Sequence, residues 1–318
     1  MEKKKNDFIA QGSILAIASI LVRVMGMIYR IPMTAIIGDK GNGFYSYAYS
    51  VYTILLLLSS YSLPLAVSKM VSAKAQLGQW RNVKRVFICA IAFAIGIGTT
   101  FGLIVLIGAQ FFTRVFFHSE LAAIALRFMA PTILIMALLG VFRGFFQGLQ
   151  NTLPTAVSQI VEGLINAIMS VVFAYFLFDF GHGMDVASGT TDLGYAWGAA
   201  GGAIGTGAGA LAGLIFCFIL FVAYRKILAV NISRDKTGTQ QEYGDIFRLM
   251  LSIALPVILS TALYNLIELV DGSLFNNIMA SKGMEDVKDS MWGAYNAKAL
   301  LLVHIPVSIS SAMAVSLV

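Results

Sequence analysis

Long apolar runs separated by short polar breaks make up most of this chain. Eight runs are long enough to cross a bilayer, which takes about 20 residues of helix. They cover roughly residues 9–37, 44–68, 86–112, 121–142, 155–178, 194–224, 247–276 and 291–318. Membrane strands need only about 10 residues and alternate in polarity, whereas these runs are longer and do not alternate. The pattern predicts an all-α integral membrane protein built as a multi-span helical bundle.

The longest polar break, residues 224–248, follows the sixth run and divides the chain. We predict a six-helix transmembrane lobe over residues 1–224, a cytoplasmic linker over 225–246, and the first two helices of a second lobe over 247–318. Runs one and two show the same order of features as runs seven and eight: a charged pair, a loop, an aromatic entry, a leucine run and a proline. Such a recurrence is typical of a parallel repeat. A second lobe of two helices is incomplete, so we expect the sequence to be truncated.

Composition and charge agree with a membrane location. Hydrophobic residues make up 58% of the chain and charged residues 12%, too few to cover a soluble core. With a cytoplasmic N-terminus, fourteen Lys and Arg outside the spans, Arg143 among them, face the cytoplasm, and four face outward. This split follows the positive-inside rule, so we expect a multi-pass protein of the cell membrane. The net charge of +6 then faces anionic membrane lipids, and no nucleic-acid partner is expected.

Two arginines, Arg23 and Arg30, interrupt the first run in the string "LVRVMGMIYR". An arginine at the centre of a membrane helix costs about 2.5 to 3.5 kcal/mol, and a spacing of seven puts both on one helix face. That face must meet a water-filled cavity or acidic partners. A basic, hydrated cavity suits an anionic passenger, because guanidinium binds phosphate through paired hydrogen bonds. The rise of about 10 Å between the two arginines suits a diphosphate.

The fifth, seventh and eighth runs also place polar or charged side chains inside the membrane. In the fifth and seventh they recur at steps of three or four residues, which is one helix face. Those assigned to substrate binding, together with Arg23 and Arg30, are Lys298, Gln159 and Asn166. Those assigned to ion coupling or charge pairing are Glu162, Glu268, Asp271 and Asn265. Purely structural ion pairs are the alternative interpretation of these charges.

Glycines recur at every fourth position of the sixth run, at residues 201, 205, 209 and 213. No strand precedes them and the spacing is not that of a nucleotide-binding loop, so we predict close helix packing through small residues. The three histidines lack metal-ligand spacing, and both cysteines lie in apolar runs. We therefore expect no metal, no cofactor and no disulfide.

The string "FRGFFQGLQNTLPTAVSQIVEG", residues 142–163, resembles the polysaccharide biosynthesis and export branch of the multidrug/oligosaccharidyl-lipid/polysaccharide flippase superfamily. Within it the chain is most similar to the stage V sporulation protein B group, relatives of the lipid II flippases. "LVRVMGMIYRIPMTAIIG" and "ALPVILSTALYNLIELVDGSLF" support the resemblance, which extends over the whole chain.

The resemblance implies a flippase that moves an undecaprenyl-diphosphate-linked sugar, lipid II or a related cell-wall precursor, from the inner to the outer leaflet by alternating access. In the lipid II flippases, first-helix arginines meet the diphosphate. Arg23 matches the first of these, Arg30 lies one residue beyond the family's spacing, and Lys298 is similar to a basic position in helix eight. A coupling cation or proton is a further expected partner.

Two other classes of function compete with this prediction. A cation-coupled multidrug exporter would have acidic and aromatic cavity walls, against which the paired arginines argue. A membrane-embedded lipid-modifying enzyme would need a catalytic cluster near one interface, and no residues are spaced for one. We therefore expect no catalytic residues and a protein that is not an enzyme.

Overall fold

The computed structural model describes the backbone of residues 2–300 and most side chains from residue 13 onward. This part of the chain is helical and contains no strand, so the predicted all-α fold is confirmed. The helices are α1 (Glu2–Leu56), α2 (Leu63–Gln76), α3 (Trp80–Phe117), α4 (Ala122–Gly148), α5 (Leu153–Ser188), α6 (Leu193–Arg234), α7 (Tyr243–Ser281) and α8 (Glu285–Ala294), with π-helical turns at Leu57–Tyr61 and Tyr295–Ala299. The predicted span 291–318 lies mostly outside the described residues.

Six helical stretches within the described residues are long and apolar enough to cross a membrane. The first, Ser13–Gln76, runs over 64 residues through α1, a π-helical turn and α2, and contains the first two predicted spans. The other five are α3 to α7, which correspond to predicted spans three to seven. The prediction of a multi-span helical membrane protein is confirmed.

Helix α1 consists of two arms, residues 2–37 and 39–56, that fold back on each other at Gly38. This residue has φ 62° and ψ −177°, which is accessible to glycine but not to residues with a Cβ. The Asn42 amide donates to Gly38 O at 2.8 Å and to Thr34 Oγ1 at 3.2 Å. Thr34 and Asn42 would be about 12 Å apart along a continuous helix. A turn at one residue therefore replaces the loop predicted between the first two spans.

Helices α5 and α6 pack backbone against backbone along the glycine stripe of α6. A Cβ added at Gly201 would overlap the backbone of Ala174, and one added at Gly205 would overlap Ser170. At Gly209 it would lie 2.6 Å from the carbonyl oxygen of Glu162. The predicted packing role of the stripe is confirmed, and it makes α5 and α6 a rigid pair.

The connection between α6 and α7 is shorter than the predicted linker 225–246. Helix α6 continues to Arg234 and α7 begins at Tyr243, which leaves residues 235–242. The polar residues 225–234 extend α6 by further turns because nothing in them, such as a proline, interrupts a helix. The division of the chain into two lobes stays a prediction.

This linker is held against the start of α3. The Asp235 carboxylate accepts hydrogen bonds from the backbone nitrogens of Arg81 and Thr237, both at 2.9 Å. The buried Asn82 side chain accepts from the Gln241 nitrogen at 3.0 Å. The hydrogen bond from Arg81, followed by those from Thr237, lowers the pKa of Asp235 to about 2. We call this side of the bundle the linker end.

The opposite side, here called the hairpin end, is closed by α8. Helix α8 packs closely against the α1 turn. A Cβ added at Gly43 would overlap the Asp289 carbonyl, and one added at Gly293 would overlap the Asp39 carbonyl. The Lys288 side chain is 5% exposed. It donates to the carbonyl oxygens of Phe117 and His118 at 3.1 and 3.2 Å, so it caps the end of α3. Helix α8 thus joins the α1 turn to α3.

We predict that Gly205→Ala destabilises the protein by about 1 to 3 kcal/mol, because the new methyl group must separate two packed backbones. Thermal unfolding in detergent, together with membrane abundance, measures the effect. Gly96→Ala is the matched control, since a Cβ at Gly96 meets nothing within 4 Å. Equal stability of the two variants would contradict this account of the α5–α6 contact.

We predict that Asp235→Asn loosens the linker. The wild-type carboxylate has a pKa of about 2, below the value of about 3.9 in an unfolded chain, so its contribution is present above about pH 4 and lost as the pH falls toward 2. Hydrogen exchange of residues 235–242, corrected for intrinsic rates, should stay slow in the wild type from pH 8 to about pH 4 and rise below it.

At pH 8 the variant should exchange faster than the wild type and be cleaved faster by trypsin after Lys236. The control is Glu242→Gln, which changes an exposed carboxylate at the other end of the same linker. If Asp235→Asn and Glu242→Gln behave alike, Asp235 does not hold the linker.

Candidate functional site

A small polar cavity of about 160 Å³ lies between the two arms of α1, α7 and the second π-helical turn. We call it the first cavity. It exists because the Gly38 turn brings residues near 30 opposite residues near 46. Its wall includes Tyr29, Arg30, Tyr45, Tyr49, Glu268 and Asn296. This volume has room for about five waters at about 30 Å³ each, so a charged group here can be solvated.

Arg30 contributes the positive charge of the first cavity. Its side chain is half-buried, and none of the ion pairs among the described residues includes it. The rings of Tyr45 and Tyr49 stack with centroids 5.9 Å apart, and the Tyr45 hydroxyl lies 3.3 Å from Thr206 Oγ1. Arg30 therefore faces a cavity bounded by two stacked aromatic rings.

A larger cavity of about 620 Å³ adjoins the first, and we call it the second cavity. The two share Glu268, Asn296 and Leu300 in their walls. The second cavity is lined from α7 by Asn265, Glu268 and Asp271, so the common face predicted for these three residues is present. Aromatic residues of α7, α8 and the π-helical turn complete it.

Arg23 does not line either of these cavities in the described structure. It is exposed, about 10 Å along the first arm from Arg30. Its neighbours Val22 and Met25 pack onto α5, each about 3.2 Å from where a Cβ on Gly163 would lie. Arg23 therefore lies beside the α1–α5 contact.

Lys298 lies at the hairpin end, where it pairs with the α1 turn. Its Nζ is 2.7 Å from Asp39 Oδ2, and the Lys298 side chain is 61% exposed. The other carboxylate oxygen, Asp39 Oδ1, is buried, and no hydrogen-bond partner for it is found in the part of the chain that the structure describes. Because the neighbouring Asn296 and Ala297 line the first cavity, Lys298 is at its edge and not in its interior.

Glu162 forms a partly buried ion pair between α4 and α5. Its Oε2 lies 2.7 Å from Arg143 Nη2, and the two side chains are 25% and 11% exposed. Arg143 Nε also donates to Ser158 Oγ at 2.9 Å. Arg143 was expected among the cytoplasmic loop charges, but α4 continues to Gly148 and turns this arginine toward α5, which corrects that expectation.

The other two polar residues predicted on α5 are not among the residues lining the two cavities. Asn166 Oδ1 accepts from Ser170 Oγ at 2.8 Å, and its Cβ would be 2.8 Å from a Cβ on Gly209. Gln159 Oε1 is buried and has no hydrogen-bond partner among the described residues. Asn166 thus belongs to the α5–α6 contact, and Gln159 lies about two turns from Asn166.

The sequence pattern missed several residues of the first cavity. Tyr45 and Tyr49 were noted only as part of an aromatic entry to the second span, although their spacing of four puts them on one face. Asn296 stood in a region interpreted as ordinary helix, and Asp39, the partner of Lys298 beside the cavity, stood in a predicted loop. The 42, 45, 46, 49 spacing of polar atoms is the signal that could have identified this face. Among the described residues, no group of three His, Cys, Asp or Glu could hold a metal.

Comparison with known proteins gives a consistent result. The sequence profile of the family described as "Polysaccharide biosynthesis protein" matches residues 8–318. Lipid II flippase MurJ of Bacillus subtilis is 26% identical over 317 residues, which are 96% of this chain and 56% of that protein. Stage V sporulation protein B of the same organism is 25% identical and covers 99% of this chain and 58% of its own length. This chain thus spans just over half the length of these curated relatives.

One solved structure is similar in fold. It is a MOP superfamily transporter from Pyrococcus furiosus, with a TM-score of 0.58, 15% sequence identity, and coverage of 97% of this chain and 68% of that one. The superfamily resemblance predicted from the sequence is confirmed, and so is the expectation that the chain is not an enzyme.

We predict that Arg143→Met destabilises the protein by about 2 to 3 kcal/mol, because it leaves the Glu162 carboxylate unpaired in a mostly buried place. Arg143→Met combined with Glu162→Met should recover most of that loss, since both charges are then removed. Thermal unfolding in detergent measures both. Arg127→Met, which replaces an exposed arginine of the same helix, is the control. Additive losses in the double variant would rule out the pair.

Proposed function

Because this chain belongs to the polysaccharide biosynthesis protein family, we propose that it moves an undecaprenyl-diphosphate-linked sugar across the cell membrane. Lipid II or a related cell-wall precursor is the passenger, and it travels from the inner to the outer leaflet. The similarity to the lipid II flippase of Bacillus subtilis covers 96% of the chain. The observation that carries the proposal is the position of Arg30 in the wall of the first cavity.

The chemistry of the first cavity favours a phosphate group. A planar guanidinium binds two phosphate oxygens at once, and the tyrosine and asparagine side chains around Arg30 supply further donors. The cavity is too small for a lipid tail or a large drug but has room for a diphosphate. Burying Arg30 in a membrane helix is costly, and an anionic passenger offsets this cost each time it binds.

The other charged candidates have secondary roles in this proposal. Arg23 lies about 10 Å from Arg30 along the first arm of α1. It receives the diphosphate before or after Arg30 does. Lys298 pairs with Asp39 when the cavity is empty. Glu268 and Asp271 line the second cavity, and Glu268 binds a coupling proton or cation. Glu162 is a charge partner of Arg143, and we assign no transport role to Gln159 and Asn166.

In this proposal the lipid crosses the membrane by alternating access. The hairpin end is closed by the contacts of α8 with the α1 turn and α3. At the linker end a third cavity of about 640 Å³ separates α2 from α7, and Lys69 lies in its wall. With the N-terminus in the cytoplasm, the linker end is the cytoplasmic side. This arrangement is then the inward-facing state, and opening of the α8 contact gives the outward-facing one.

A cation-coupled drug exporter is the second candidate. One observation favours it, because the second cavity combines the carboxylates of Glu268 and Asp271 with aromatic side chains, and such walls attract organic cations. Arg30 in the adjoining first cavity opposes it. A membrane-embedded lipid-modifying enzyme has no supporting observation.

We predict that Arg30→Gln lowers the initial rate of lipid movement at least about tenfold, because it removes a charge-assisted pair of hydrogen bonds. The full-length protein is reconstituted in liposomes with fluorescent undecaprenyl-diphosphate-linked sugar, and quenching by external dithionite reports the leaflet. Arg30→Lys keeps the positive charge but loses the planar guanidinium that binds two oxygens at once. Its transport rate should lie between those of the wild type and Arg30→Gln. Arg127→Gln, at an exposed position of α4, is the control.

Transport by Arg30→Gln at the wild-type rate would contradict the role of the first cavity. Absence of lipid movement by the wild type, together with uptake of an organic cation such as ethidium, would instead support the exporter. Equal abundance and unfolding temperatures of the variants separate transport from folding.

A further inference from the structure

The second cavity differs in chemistry from the first, although the two adjoin. Glu268 lies in the walls of both, but the first adds the Arg30 guanidinium and tyrosine hydroxyls, whereas the described wall of the second adds the Asp271 carboxylate and has no Lys or Arg. Carboxylates repel a diphosphate and accept hydrogen bonds from hydroxyl groups. A passenger with one anionic and one hydroxyl-rich part therefore has a defined orientation across this pair of cavities.

Three aromatic rings also line the second cavity. Tyr295 is 48% exposed, and its ring centroid lies 5.5 Å from that of Trp292 with a tilt of 37°. Trp292 is buried and rests against Phe275 at 5.2 Å. An exposed tyrosine ring on a fixed aromatic base presents a flat surface to the cavity. The apolar C–H face of a sugar ring packs on such a surface, while neighbouring polar groups hydrogen-bond its hydroxyls.

Size and position also fit a sugar. A volume of about 620 Å³ lies within the range of about 300 to 1,000 Å³ that is usual for small-molecule sites. In a lipid-linked precursor the first sugar is bonded directly to the terminal phosphate, so its site must touch the phosphate site. Shared wall residues, Glu268, Asn296 and Leu300, satisfy this requirement.

We infer that the second cavity holds the first sugar of the passenger, an inference that rests on the proposed function. Tyr295 stacks on the sugar ring, and Asp271 accepts hydrogen bonds from its hydroxyls. The diphosphate lies at Arg30. Glu268, at the junction of the two cavities, separates the anionic part of the passenger from the neutral part.

Binding of two probes to the purified full-length protein in nanodiscs tests this inference. One probe is undecaprenyl diphosphate, and the other is the same lipid carrying one N-acetylated hexosamine. Tyr295→Ala should weaken binding of the sugar-bearing probe about tenfold and that of the bare lipid less than about twofold. Asp271→Asn should act in the same selective direction. Arg30→Gln should weaken both probes.

Matched controls are Tyr175→Ala and Asp286→Asn, which make the same chemical changes at exposed positions outside both cavities. Wild-type protein that binds neither probe, or Arg30→Gln protein that binds both normally, would count against the proposed function. Normal wild-type binding with equal losses for the two probes in Tyr295→Ala would overturn the inference alone. It would also be overturned if Asp271→Asn abolished binding of tetraphenylphosphonium but did not distinguish the two lipids.

Discussion

An arginine inside a membrane-spanning helix must have water or a counter-charge, and this requirement organises the part of the protein around α1. A straight first helix would present Arg30 to lipid or to a dry helix contact, at a cost of several kcal/mol. The turn at Gly38 folds the second arm back and places the Tyr45 and Tyr49 rings beside Arg30. The small cavity between the arms is the consequence. It lets the charge persist in the membrane without a permanent partner among the described residues.

The remaining contacts divide into tight and adjustable ones. Helices α5 and α6 meet at the distance between two backbones, so they move as one unit. By contrast, the first cavity lies between the arms of α1 and α7, the second is lined by α7, α8 and the π-helical turn, and the third lies between α2 and α7. At the hairpin end, α8 packs closely on the α1 turn, and Lys288 and Lys298 add polar contacts to the end of α3 and to Asp39. A tightly packed α5–α6 pair beside open space along α7 is suited to rocking between two states.

Periodicity along the chain predicted what depends on local sequence. The spans, the glycine contact of α6 and the polar face of α7 through Asn265, Glu268 and Asp271 all follow from spacing. Contacts between residues that are far apart in the sequence do not follow from spacing. Glu162 pairs with Arg143, which is 19 residues away in the sequence, and Lys298 pairs with Asp39, which is 259 residues away. Pattern alone does not say which helices become neighbours. The one-residue turn at Gly38 was also missed. A loop was expected there, but the Asn42 side chain donates a hydrogen bond to the Gly38 carbonyl oxygen and stabilises the turn.

The central claim is that Arg30 binds the diphosphate of the passenger, and a distance measurement tests it most directly. Solid-state NMR can measure the separation between ¹⁵N of the Arg30 guanidinium and ³¹P of undecaprenyl diphosphate bound to the full-length protein in bilayers, with Arg30→Lys protein assigning the signal. A bidentate pair places nitrogen and phosphorus about 4 Å apart. Dephasing that corresponds to this distance is the predicted result. Bound lipid without dephasing at Arg30 would contradict the claim.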